Sequence, residues 1–245
     1  MTATPHDQTR GDSTPFFRDS APAPLSCNEA VSLCMKAARG AGMSWGMAEE
    51  AGFSAAWLVS HGVDGPSHLC AHLMQADGRD WADLCPAITP GDWQNARGRT
   101  NCPIILGATL CDFVELPEGL TAGSDMALGV VSTPILLLPF LFELARMKPV
   151  CITLTGSAGQ ISTDDKDACL QKMTQILGQG SDALTLSFIP AAVQTQTPFV
   201  AGLMVAKATT TAETIQTLNT FAMRTVVPAS DASRAGAGST LSDND

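Results

Sequence analysis

The sequence predicts an α+β or α/β protein, in which a helical N-terminal part packs on a mixed β-sheet layer that carries further helices. The first hundred residues contain helix start and stop signals and apolar positions at helical spacing. After about residue 102, short apolar strand-like runs follow one another with helical segments between some of them. That mixture of adjacent and helix-separated strands is typical of these two classes.

Four segments are expected along the chain. Residues 1–24 are polar and proline-rich, which predicts a disordered leader with no signal peptide. Residues 25–100 form the mainly helical part and residues 101–226 the α/β part. Residues 227–245 are small, polar and glycine-bearing, which indicates a tail or an extended arm.

Three helices are predicted in the N-terminal part. The first begins with a capping box formed by Ser26 and Glu29, and it ends near Gly40. The second covers residues 45–60, and the third is indicated by the run at 65–78, which has a proline in its first turn and a glycine at its exit.

The α/β part contains further candidates of both kinds. The strand-like runs are residues 104–113, 126–132, 150–156, 183–190 and 198–208. The helical candidates are residues 134–148, 163–180 and 211–225, the last with a capping box between Thr210 and Glu213. The glycine-bearing run at 155–160 is interpreted as a turn and cap, because a phosphate-binding loop would need a lysine that it lacks.

Composition disfavours several partners. The formal net charge is -10 and the basic residues are scattered, so neither nucleic acid nor an anionic membrane surface is expected to bind. The eight cysteines contain no CxxC pair, and we interpret them as small apolar side chains in a reducing compartment, without zinc. The most apolar run, 134–145, contains a proline and is too short to span a bilayer. A cytoplasmic protein is therefore expected.

The candidate site lies in the stretch "ARGAGMSWGMAEEAG" and the helix that follows it. On a helical projection Phe53 and Trp57 form an aromatic ridge opposite the main apolar face, and Glu49 and Glu50 flank that ridge. A helix that is apolar on two sides is normally buried between layers, so its carboxylates would be partly desolvated and would need partners. Arg39, just across the glycine turn, is the nearest cation in sequence.

Two interpretations of this stretch stay open. In the structural one, Arg39 pairs with one glutamate and fixes the helix corner. In the functional one, the aromatic ridge lines a pocket for an amine-bearing small molecule, and a glutamate performs acid or base chemistry. The candidate catalytic residues are Glu49 and Glu50, and the candidate substrate-binding residues are Arg39, Trp45, Phe53 and Trp57.

Two histidines, His68 and His72, stand four residues apart on the third predicted helix, a spacing found in zinc sites. The glutamate base of the HExxH motif is absent, so the flank of an amphipathic helix is the preferred interpretation and no metal is assigned. The sequence also lacks a dinucleotide-binding fingerprint and a GxSxG nucleophile motif.

The stretch from Leu25 to Gly52, with "KAARGAG" and "WGMAEEAG" inside it, and "VPASDASRAGAG" near the end resemble an uncharacterised proteobacterial family, a domain of unknown function. The N-terminal resemblance covers roughly the helical part of the chain. It implies one integrated bacterial protein, and it supplies no activity, cofactor or catalytic residue. The cofactor therefore stays unknown.

The sequence leaves two functional hypotheses. The first is a protein that binds or transforms a small, amine-bearing metabolite in a cleft between the helical and α/β parts, as domain junctions commonly do. The second is a non-catalytic accessory protein that acts as a subunit of a larger assembly. Homo-oligomerisation is possible under either hypothesis.

Overall fold

The computed structural model describes residues 24–113, 116, 123–148, 150–163, 170–177, 180–190 and 209–225. The predicted leader up to residue 23, the predicted tail and the predicted strand at 198–208 lie outside the described residues. The predictions for these three segments therefore stay predictions.

Three helices open the described chain, as predicted: α1 (Cys27–Gly40), α2 (Trp45–Ser60) and α3 (Gly65–Ala76). The capping box at the start of α1 is confirmed, because the Ser26 hydroxyl accepts the Glu29 amide while the Glu29 carboxylate accepts the Ser26 amide. After α1 the chain turns at Gly42, whose φ of 96° is in the left-handed region that glycine tolerates.

An irregular segment follows α3 and leads into α4. It contains a short 3-10 turn (Trp81–Leu84) and isolated bridges. Residues 104–113, however, form most of helix α4 (Pro103–Phe113), so the strand prediction for that run is wrong. Because nearly all of its residues are apolar, the run shows little periodicity, and sequence alone cannot then separate a helix from a buried strand.

The sheet contains β1 (Asp125–Ser132), β2 (Val150–Gly156), β3 (Gly159–Ser162) and β4 (Ser181–Pro190) in the order β1-β4-β2-β3. The pairs β1–β4, β4–β2 and β2–β3 are antiparallel. Two isolated parallel bridges from the irregular segment extend the sheet beyond β1. The α+β class is thus confirmed, and the run at 155–160 is the hairpin that joins β2 to β3.

The remaining helices are α5 (Leu138–Met147), α6 (Leu170–Leu177) and α7 (Ala212–Met223). The predicted capping box at Thr210 is wrong by one residue. Thr211 is the N-cap, since its hydroxyl accepts the Thr214 amide. The Thr210 hydroxyl donates instead to the Asp64 carboxylate at 2.8 Å, which links the start of α7 to the start of α3.

One hydrophobic core joins the helical and the α/β parts. It includes Ala51 and Leu58 of α2, Leu106 of α4, Leu141 of α5 and Leu186 of β4, all buried. None of the described helices is both long enough and apolar enough to cross a membrane. The layer contact between α2, α4 and α5 is the part of this core that positions the first candidate site.

The seven described cysteines carry free thiols, and Cys169 lies outside the described residues. Cys34, Cys70 and Cys102 are buried, Cys85, Cys111 and Cys151 are half-buried, and Cys27 is exposed. The interpretation of cysteines as small apolar side chains fits the buried ones, although Cys102 also has polar partners.

Candidate functional site

Arg39 and the two glutamates are not brought together. The Arg39 guanidinium donates to the backbone carbonyl of Met43, and no ion pair joins Arg39 to Glu49 or Glu50 within the described residues. The prediction that Arg39 pairs with a glutamate is therefore wrong. The turn at Gly42 brings the Met43 carbonyl to the guanidinium, whereas Glu49 lies one turn into α2 and faces solvent.

Trp45 belongs to the same corner as Arg39. The guanidinium carbon lies 4.7 Å from the centre of the Trp45 ring, a cation–π contact, and Trp45 is 63% exposed. Trp45 and Phe53 are eight positions apart on α2, which corresponds to an axial distance of about 12 Å. Arg39 and Trp45 thus lie apart from the predicted aromatic ridge.

Glu50 and Asp112 form the start of a different cluster. Glu50 is half-buried on α2, and burial is the largest cause of its raised pKa, followed by the negative charges of Asp112 and Glu49. Asp112 is on α4, so the sequence around α2 gives no sign of it. The charge near Glu50 is negative, where the sequence predicted a cation.

The predicted aromatic ridge is present, with partners from α5. Phe53 packs edge to face with Phe140 at 5.9 Å between ring centres, and it stays 40% exposed. Trp57 stacks on His61 at 3.7 Å and on Phe142 at 5.4 Å. Phe53 is therefore the ridge residue with open surface, and Trp57 uses its ring for packing within the protein.

The half-buried thiol of Cys111 lies within electrostatic reach of carboxylates on three helices. Its pKa rises to about 12 through burial first and then through the charges of Glu143, Glu50 and Asp112. Cys111 also contacts the backbone carbonyl of Phe140, the residue against which Phe53 packs. We name the surface formed by Glu50, Phe53, Asp112 and Glu143 the α2–α4–α5 surface.

Among the described residues, one cation, Arg146, forms an ion pair with a carboxylate of this surface. Arg146 binds both carboxylate oxygens of Glu143 from one turn further along α5, and it lowers the pKa of that carboxyl. Glu50 and Asp112 gain no such described ion pair. The surface therefore combines an open aromatic ring with carboxylates whose charge is only partly balanced.

A second polar cluster lies inside the protein around His72. Its Nδ1 is 2.8 Å from the Ser132 hydroxyl, and its Nε2 is 3.2 Å from the Cys102 thiol. His68 is half-buried, and burial lowers its pKa while Asp64 opposes that shift. Within the described part of the chain, no group of three or more His, Cys, Asp or Glu side chains is arranged to hold a metal ion.

Cys102 stands at the N-terminus of α4. Its carbonyl accepts the Leu106 amide, the first bond of the helix, and the nearby backbone amides of Ile105 and Ile104 act to lower the pKa of its thiol. Burial outweighs their effect and raises the pKa of the thiol to about 12. Burial also lowers the pKa of His72 to about 4, so thiol and imidazole are both neutral near pH 7.

Part of this cluster had a signal in the sequence. Proline favours the first position of a helix, so Pro103 after Cys102 marks a helix start once the apolar run is recognised as a helix. The Ser132 partner had no such signal, because 60 positions separate it from His72.

A small cavity lies among α5, α6 and the sheet, lined by mainly apolar side chains such as Leu141, Phe142, Leu154 and Met173. Its volume is about 10 Å³, enough for one water molecule at most. It is too small to hold a metabolite.

The N-terminal part of the chain matches a family of unknown function. Residues 25–102 match the model described as "Protein of unknown function (DUF3726)", which agrees with the resemblance drawn from the sequence. No curated protein and no solved structure matches the chain. The matched range includes Glu50, Phe53, His72 and Cys102, whereas Asp112 lies beyond it.

Proposed function

We propose that the protein binds a small organic cation, an amine-bearing metabolite, on the α2–α4–α5 surface. The observation that carries the proposal is the 40% exposed ring of Phe53, packed on Phe140, with Cys111 at the Phe140 carbonyl and within electrostatic reach of Glu50, Asp112 and Glu143. Because α2 belongs to the helical part and α4 and α5 to the α/β part, this surface lies at the junction where the sequence predicted a ligand.

The electrostatics favour a cation over a neutral ligand. The pKa of Glu50 is raised by burial and by the charges of Asp112 and Glu49, so its ionised form is held next to like charges. A bound cation supplies the missing opposite charge and stabilises the ionised carboxylates. Relief of the repulsion among these carboxylates therefore contributes favourably to the free energy of binding.

The aromatic ring adds the second requirement. The face of a phenyl ring attracts an ammonium group electrostatically, and the attraction grows when water is excluded. Phe53 is held by Phe140 yet stays 40% exposed, so a ligand can reach it without unpacking the core. An amine with a short apolar body meets both the ring and the carboxylates.

The roles of the predicted residues change accordingly. Glu50 is the candidate for proton exchange with a bound amine, because burial and its neighbours raise its pKa. Glu49 is exposed and contributes negative charge to the surface. Trp57 supports the ridge from within the protein, and Arg39 and Trp45 belong to the separate helix corner.

Isothermal titration calorimetry tests this function directly. The probes are choline, putrescine and the uncharged isostere of choline in which carbon replaces the quaternary nitrogen. We expect choline and putrescine both to bind, and the uncharged isostere to bind at least about tenfold more weakly than choline, because each 1.4 kcal/mol of charge interaction is worth that factor.

Single substitutions identify the residues that bind the cation. Glu50→Gln, Asp112→Asn and Phe53→Leu should each weaken the cation, whereas Glu213→Gln, which removes the same charge from an exposed position on α7, should not. Equal binding of choline and its uncharged isostere contradicts the proposal. So does a cation affinity that Glu50→Gln and Glu213→Gln change alike.

A further inference from the structure

We propose that Cys102 and His72 form a second site, a thiol nucleophile with its general base, that accepts the acyl group of a small ester and is covered in this structure by the Trp81 turn. The Trp81 turn is the 3-10 segment Trp81–Leu84. The proposal is independent of cation binding on the α2–α4–α5 surface.

Three side chains from three elements provide the arrangement that activates a thiol. The Cys102 thiol at the start of α4 is 3.2 Å from Nε2 of His72 on α3. The Ser132 hydroxyl at the end of β1 is 2.8 Å from Nδ1 and fixes the ring orientation. A nucleophile, a base and a group that orients the base, all within hydrogen-bond reach, define a covalent catalytic site.

The N-terminus of α4 supplies the fourth component of the proposed catalytic site. Cys102 directly precedes the first residue of α4, and the unpaired amides at a helix N-terminus favour negative charge on a nearby sulfur. The geometry of the histidine and serine is a separate observation from this helix terminus. Together they place a proton acceptor and an anion-stabilising group on two sides of one sulfur.

The chemical step balances with these residues alone. The Cys102 thiol gives its proton to His72 Nε2 while the sulfur forms a bond to the acyl carbon of the ester. The carbon–oxygen bond to the leaving group then breaks, and His72 returns the proton to the departing alcohol oxygen. Water hydrolyses the resulting thioester, with His72 again taking and returning one proton.

The cover over the site is the four-residue Trp81 turn. The half-buried Trp81 ring lies 5.9 Å from the His72 ring, and its indole N–H donates to the Ala41 carbonyl at 2.9 Å. The turn contains four residues, and Asp83 within it binds the exposed side chains of Arg97 and Arg99. The turn is short, so its displacement uncovers less apolar surface than opening a packed helix does, and it breaks the bond from the Cys102 amide to the Leu84 carbonyl.

Opening changes the charge state of the site. Burial is the largest cause of the raised pKa of Cys102 and the cause of the lowered pKa of His72. Water admitted beside Trp81 removes that cause, and the N-terminus of α4 then favours a thiolate next to an imidazolium. The closed site is therefore inert and the open one reactive.

Variants of the cover test the proposal. Trp81→Ala opens the site, and Trp81→Phe, which removes the bond to Ala41 and part of the ring, serves if the first variant fails to fold. Alkylation of Cys102 by iodoacetamide, followed by peptide mass spectrometry at about pH 6, should be at least tenfold faster in the opened variant than in the same variant with His72→Gln. Cys27, which is exposed, is the internal reference for a thiol whose labelling is independent of His72.

The acyl-transfer step is tested with p-nitrophenyl acetate on the full chain. The opened variant should release a burst of nitrophenolate and carry an acetyl group on Cys102, and Cys102→Ser should abolish both. Alkylation of Cys102 at the same rate with and without His72 overturns the proposal. Acetylation that maps only to other residues overturns it as well.

Discussion

The two polar clusters of this protein differ in whether their side chains carry charge. The His72 cluster is buried, and each ring nitrogen has a partner, so its groups stay neutral. The α2–α4–α5 surface is half-open, and its carboxylates keep charges that Arg146 balances only in part. Burial thus keeps the groups of the His72 cluster neutral. Partial exposure to water lets the carboxylates of the α2–α4–α5 surface stay charged, and a cationic ligand can pair with them.

The largest expected effect is acid destabilisation through His72. Its pKa is about 4 in the folded protein and near 6.5 when unfolded. The unfolded state therefore binds more protons between these values, and stability falls as the pH drops below 6.5. From neutral pH to about pH 4.5 the loss from this group is about 2 to 3 kcal/mol.

Urea unfolding at both pH values, for wild type and His72→Gln, measures that loss. The variant should be less stable at neutral pH, because it disrupts the buried network, yet its stability should depend less on pH. An equally steep dependence in the variant would show that other groups cause the acid sensitivity.

The next effect concerns the sulfur partner of the same histidine. Cys102→Ala leaves His72 Nε2 buried without its hydrogen-bond partner, so the free energy of unfolding should fall by about 1 to 3 kcal/mol. Cys34→Ala is the matched control, since Cys34 is also buried, in α1, and no described hydrogen bond involves its thiol. Equal losses in the two variants would indicate that only packing matters at Cys102.

The helix corner should respond less. Arg39→Ala removes a hydrogen bond to the Met43 carbonyl and the contact with Trp45, which should cost about 1 kcal/mol. A double-mutant cycle with Glu49→Gln should give a coupling energy near zero, because no ion pair joins the two residues. A coupling of about 1 kcal/mol or more would restore the ion pair that the sequence predicted.

The smallest effect has the opposite sign. The pKa of Glu50 is raised in the folded state, so its ionisation opposes folding at neutral pH and ceases to do so below the pKa of the unfolded chain. Glu50→Gln should therefore stabilise the protein at neutral pH, by about 0.5 kcal/mol or less because water screens the charge of this half-buried side chain. The gain should vanish in acid, which urea unfolding of Glu50→Gln beside Glu213→Gln can measure.

Local signals predicted the N-terminal helices well. The capping box at Ser26 and the glycine turn before Trp45 act within a few residues, so they can be recognised in one sequence. The run that forms α4 carried little such periodicity, because nearly all of its residues are apolar. That single misassignment also concealed Cys102 as a helix N-terminal residue.

The candidate site was predictable only where it lies on α2. Helical geometry placed Glu50 and Phe53 on neighbouring positions of one face, three residues apart. Their partners Asp112 and Phe140 come from α4 and α5, and tertiary packing alone brings them there. Arg39 was paired by proximity in sequence, whereas the turn at Gly42 directs it to a backbone carbonyl.

The most direct test of the cation-binding surface is the pKa of Glu50, followed by NMR of its side-chain carboxyl carbon with and without saturating choline. In the free protein the pKa should lie above the ordinary value of 4.5, as burial, Asp112 and Glu49 require. Bound choline should lower it, because a nearby cation favours the ionised carboxylate. A pKa of Glu50 that choline leaves unchanged would contradict the account.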